Sequence, residues 1–175
     1  GYGEGDSITT GGHTTLMGYL AGGALDGGAS HTTAVGRSAL ASCNLGGDTN
    51  NTAVGSEAGA AVTTGGSNTL IGSSAGKVID EGAGNICIGY AAGDALTTGD
   101  GNIVMGNGTA ASAVGVDDEI TIGAAASGQG TTYAVIGNGN LTRLYAGDDA
   151  GGTFYGAGQS WSDKRIKENV KDIGL

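Results

Sequence analysis

The sequence predicts an all-β, glycine-rich β-solenoid or β-roll, built from coils of about 17 residues that stack into a rod. Three observations predict it. An apolar hexapeptide ending in glycine recurs along the chain as HTTLMG, HTTAVG, NNTAVG, SNTLIG, GNICIG, GNIVMG and DEITIG, ending at Gly18, Gly36, Gly55, Gly72, Gly89, Gly106 and Gly123. The intervals are 18, 19, 17, 17, 17 and 17 residues, and a final YAVIG reaches Gly137 after 14. Sequence repeats of this length are the mark of stacked architectures. Composition is the third observation: 175 residues include 39 Gly, no Pro, one Trp and one Phe, too few large side chains for a single compact core. A thin core repeated in every coil suits that composition, and the missing proline and irregular glycine spacing exclude a collagen helix.

Each repeat position has its own chemistry. The residue before the glycine is apolar in every copy (Met17, Val35, Val54, Ile71, Ile88, Met105, Ile122), and the residue two earlier is Thr or Ile. This alternation predicts a short strand with that face buried. The middle residue, on the other face, is Leu16, Ala34, Ala53, Leu70, Cys87, Val104 or Thr121, so both strand faces are expected to be covered. Three residues past the glycine stands mostly Ala (Ala21, Ala39, Ala58, Ala75, Ala92), and seven past it a second inward candidate, Leu25, Cys43, Val62, Ile79, Leu96 or Ala113. TTGGSN, DEGAGN and TTGDGN close the later coils. One coil therefore reads as strand, glycine bend, second short strand and polar turn. Stacking at the strand spacing of roughly 4.8 Å gives a rod on the order of 35 Å long and aligns Asn51, Asn68, Asn85 and Asn102 as an amide ladder. A coil with two apolar strand faces needs a partner, and a symmetric homotrimer is the economical one; a monomeric solenoid enclosing both sets is the alternative.

The formal net charge is -10, with 17 acidic against 7 basic residues, a balance that disfavours nucleic acid as a partner. No stretch is long and apolar enough for membrane insertion as a helix. Cys43 and Cys87 stand in different contexts and read as small apolar residues rather than a disulfide or metal framework. His13 and His31 share a repeat position and read as polar turn residues, with metal a weaker alternative. The acidic turns Asp80-Glu81, Asp117-Asp118-Glu119 and Asp148-Asp149 read as solvated, with calcium a weaker alternative, since the GGxGxD pattern of calcium β-rolls is missing. No cofactor is expected. Tyr19 and Tyr90 follow the repeat glycine, and Tyr133, Tyr145, Phe154, Tyr155 and Trp161 gather towards the end; exposed, such rings could stack on a sugar or a partner. Beginning at Gly1 without Met, the chain reads as an excerpt of something longer.

The expected organisation is a coil shaft over residues 1–126, a β connector over 127–161 and a new element over 162–175. In SDKRIKENVKDIGL, Ser162 is placed as a helix N-cap, Ile166, Val170 and Ile173 form one stripe, and Gly174 ends it. Ser162 and Lys167 also have the residue types of a serine–lysine pair, although their spacing alone fits an ordinary helix start.

SDKRIKENV at Ser162 to Val170 resembles the opening motif of the intramolecular chaperone domain that ends many phage tail spikes and fibres, the endosialidase-type self-cleaving chaperones. The NTAVG, NTLIG and NICIG coils and DDEITIG resemble the shafts that such domains assemble, and also the β-roll heads of trimeric autotransporter adhesins. The first resemblance implies a homotrimeric tail-fibre shaft in a virion, attached to other virion tail proteins and presented to a host cell-surface glycan or protein receptor. It implies that the chain breaks at Ser162, with Ser162 as nucleophile and Lys167 as its base; the domain would continue well past Leu175. The second implies a bacterial surface adhesin instead.

Overall fold

The structure is a computed structural model that describes residues 12–25, 31–44 and 49–141. Among these residues eight three-residue strands follow one another: β1 (Thr15–Met17), β2 (Thr33–Val35), β3 (Thr52–Val54), β4 (Thr69–Ile71), β5 (Ile86–Ile88), β6 (Ile103–Met105), β7 (Ile120–Ile122) and β8 (Ala134–Ile136). They form one parallel sheet in sequence order. Its register equates repeat positions, from Thr15 opposite Thr33 to Ile122 opposite Ile136. The described residues thus form the all-β solenoid that the periodicity predicts. The ladder runs past residue 126 to Ile136, and the compact unit carrying it ends at Asn140.

The strand faces are assigned differently from the expectation. The middle residues Ala34, Ala53, Leu70, Cys87, Val104 and Thr121 point into the coil and are fully buried. The flanking residues look outward, half-buried or exposed; Met17 is 63% and Ile71 39% exposed. A three-residue strand has one central side chain, and the coil's lumen takes that one only. From the opposite wall it meets Ala21, Ala39, Ala58, Ala75 and Ala92 and then Leu25, Cys43, Val62, Ile79 and Leu96, all buried. Volumes compensate between neighbours. Where β2 and β3 carry only Ala34 and Ala53, Leu40 fills the interior; where β4 carries Leu70, that same repeat position is Gly59 and Gly76, whose absent Cβ atoms would lie 2.6 Å from the Leu70 methyls.

The second strand of each coil does not form among the described residues. Its place is taken by stacked turns, with one isolated bridge between Ala110 and Ser127. The reason lies in alternating backbone handedness. Two residues past the glycine, Leu20, Ser38, Glu57, Ser74, Ala91 and Ala125 all adopt left-handed conformations with φ between 50 and 61°. Alternate N–H groups then point to opposite neighbours: Glu57 donates to the Arg37 carbonyl of the preceding coil, while Gly59 donates to Ala75 of the next. The turns are paired as fully as strands would be, without strand geometry.

Ala113, expected inside, is exposed; Ala111 and Val116 are buried in its coil instead. Ala110 there pairs with Ser127 rather than bending left-handed, which shifts the inward phase.

Asn51, Asn68, Asn85 and Asn102 form the expected ladder, fully buried. Each Oδ1 accepts the backbone N–H one coil on, from Asn68, Asn85, Asn102 and finally Glu119, at 2.8 to 2.9 Å. Each Nδ2 donates to a turn carbonyl, of Gly65, Gly82, Gly99 and Val116, at 2.6 to 2.8 Å. The amides thereby tie the strand side of one coil to its closing turn.

Thr121 departs from the interior chemistry. It lies between Val104 and Val135 in the inward column, and its Oγ1 is buried without a hydrogen-bond partner. Leaving a hydroxyl unsatisfied is costly, so Thr121→Val is expected to raise stability by about 1 kcal/mol, measured as a shift of the denaturant midpoint at unchanged m-value.

Candidate functional site

Ser162 and Lys167, the expected self-cleavage pair, lie outside the described residues, as do the predicted helix over 162–175, Tyr145, Phe154, Tyr155, Trp161 and the Asp148-Asp149 turn. The remaining candidates fall on the corners of the coils.

His13 and His31 stack with ring centroids 5.0 Å apart and an interplanar angle of 10°. Both have φ 57°, and their repeat position continues as Asn50, Ser67 and Asp118, which are also left-handed. A corner requires that conformation, and histidine, asparagine and aspartate tolerate it better than most residues. Among the described residues no three His, Cys, Asp or Glu side chains gather in a way that could hold a metal ion.

The acidic turns are stacking devices. The Asp100 carboxylate accepts the Ala83 N–H at 2.7 Å, and Asp117 accepts the Asp100 N–H at 2.8 Å, each one coil back; Thr63 donates its hydroxyl to Asp80. Glu119, grouped with the solvated DDE turn from the sequence, is fully buried. It occupies the next rung after Asn102, and its carboxylate accepts the N–H groups of Ser112 at 2.9 Å and Gly130 at 2.7 Å. Its place four residues before Gly123, where the four preceding copies have Asn, is the signal that identifies it.

Arg37 and Lys77 are the only lysine or arginine side chains among the described residues, and both bind Glu57 from the adjoining coils, Lys77 at 2.6 Å. The Lys77 ammonium first, and the Arg37 guanidinium second, hold the Glu57 carboxyl below the usual carboxylate range. A depressed folded-state value gives stability that is present above the ordinary glutamate value and lost as pH falls through the folded one. Glu57→Gln is therefore expected to flatten the pH dependence of thermal unfolding below about pH 5, checked by melting curves from acid to neutral pH. Cys87 is unsuited to nucleophilic work, because burial pushes its thiol up to about 12.

The outward strand face is uncharged and half-buried to exposed, while further exposed apolar side chains, Leu20, Val78 and Val114 among them, lie off it. It consists of two columns: Thr15, Thr33, Thr52, Thr69, Ile86, Ile103, Ile120 and Ala134, beside Met17, Val35, Val54, Ile71, Ile88, Met105, Ile122 and Ile136. None of these side chains is charged. Tyr19 and Tyr90, 51% and 61% exposed, stand two residues beyond the second column, at the adjoining corner. No helix of the described residues is long and apolar enough to cross a membrane. Compared with known proteins, the chain matches no known family, no curated protein and no solved structure.

Proposed function

We propose that this chain is the shaft of a homotrimeric fibre, the structural and adhesive part of a phage tail fibre or tail spike that carries a receptor-binding surface to a host envelope. The observation that supports the reading most is the uncharged outward face, continuous over eight strands of a chain whose net charge is -10. An apolar strip of that length in an acidic protein is suited to burial against other protein surface. Three copies turned about one axis would each bury it, and the stacked coils would supply the stiffness a shaft requires. The resemblance of SDKRIKENV to a self-cleaving chaperone supports the virion setting, with Ser162 marking the end of the shaft and Lys167 acting as base. Sedimentation equilibrium of the purified chain tests the reading: a trimer is expected, and a monomer at all accessible concentrations overturns it.

A further inference from the structure

The outward face changes character along the stack. Its first column is threonine on β1 to β4 and isoleucine on β5 to β7, while its second column is Met, Val or Ile throughout. The change is complete in one step, because Thr69 of β4 lies directly against Ile86 of β5. We infer that copies of this chain associate most tightly along β5 to β7, in a dry contact, and meet along β1 to β4 across a threonine-lined, hydrated seam. The inference rests on the homotrimeric reading and assigns the strength of that assembly to one end of it.

A second copy is the occupant that the charge pattern favours. Every copy carries a net charge of -10, so like copies repel wherever their acidic corners meet and can approach closely only along an uncharged strip. Eight strands at ~4.8 Å, with a strip ~10 Å wide, present roughly 400 Å² per copy, less than the roughly 600 Å² that each partner buries at the lower limit of a stable specific interface. An interface of that size depends on its most apolar part.

The two halves differ in what they can bury. Ile86, Ile88, Ile103, Met105, Ile120 and Ile122 have no polar side-chain atom and lose nothing when water leaves. Thr15, Thr33, Thr52 and Thr69 each carry a hydroxyl that needs a partner once covered. Set one per coil along a line, those hydroxyls suit a file of bridging waters, and a dry contact would orphan them.

Sedimentation equilibrium of the full chain and three single variants tests this, with far-UV circular dichroism to establish that each variant keeps its coils. Ile103→Thr extends the polar column into the tight half and is expected to weaken association by at least about tenfold. Thr52→Ile should strengthen it, and Ile103→Val, apolar and β-branched, should leave it within about twofold. If the chain trimerises but Ile103→Thr leaves association unchanged, or Thr52→Ile weakens it, the graded seam is wrong while the trimer stands. A monomeric parent chain overturns both.

Discussion

Gly72→Ala is expected to abolish folding of the coil stack, at a cost of roughly 4 kcal/mol or more, comparable with the entire stability of a small domain. Two independent obstacles meet at this residue. Its φ of +131° is closed to side-chain-bearing residues, and a Cβ there would lie 2.5 Å from the Gly89 carbonyl oxygen and 2.7 Å from its carbon. The obstructing atoms are backbone of the next coil, so no rotamer change relieves the contact; the coils must separate. Separation forfeits the ladder on both sides, because each coil is held by its neighbours alone. Gly108→Ala is the control. Gly108 also has positive φ, +60°, but a Cβ added there has no neighbour within 4 Å, so this variant should fold and lose only about 1 kcal/mol. Circular dichroism and urea unfolding of the two proteins check the pair. Equal losses would mean that backbone handedness alone, and not the close approach of coils, makes the glycine column necessary.

Legibility in the sequence followed periodicity. Glycine spacing and the asparagine column recur at a nearly fixed interval, so the stack and its amide ladder are legible in the sequence alone. The direction of the strands could not, because Thr-Ala-Val or Ile-Cys-Ile is apolar on both faces and alternation does not say which face a lumen takes. That choice depends on the far wall of the coil, where Ala39 and Cys43 or Ala75 and Ile79 meet the central residue. Short apolar runs such as AGAAV read as a second strand because they carry no mark of alternating handedness. Arg37, Glu57 and Lys77 were missed because they occupy three different repeat positions, joined only where successive corners overlap. Of the outward strip, the residues are visible in the sequence and their aim is not.

The ladder's chemistry predicts opposite failures for two exchanges of acid and amide. At Asn85 the surroundings demand both an acceptor and a donor: Oδ1 receives the Asn102 N–H at 2.9 Å, and Nδ2 gives to the Gly99 carbonyl at 2.8 Å. Asn85→Asp keeps the first bond and sets a buried carboxylate against a carbonyl oxygen, at an expected cost of about 3–5 kcal/mol near neutral pH. At Glu119 the surroundings demand two acceptors, since Ser112 and Gly130 both present N–H groups. Glu119→Gln can satisfy one of them and turns an amide N–H₂ towards the other, costing about 2–3 kcal/mol. No room exists to swing it aside, because a Cβ on the adjacent Gly128 would already overlap the carboxylate. The two variants separate by pH. Burial disfavours the charged form of the carboxyl that Asn85→Asp introduces, so its folded-state value rises above the unfolded one, and protonation restores a donor for Gly99; stability should recover as pH falls. Glu119→Gln introduces no titrating group and should show no such recovery. Urea unfolding at neutral pH and at about pH 4 distinguishes them, near the ordinary carboxylate range. If Asn85→Asp stayed equally destabilised at both, its loss would come from packing rather than from the missing donor, and the ladder would be a spacer instead of a hydrogen-bonded spine.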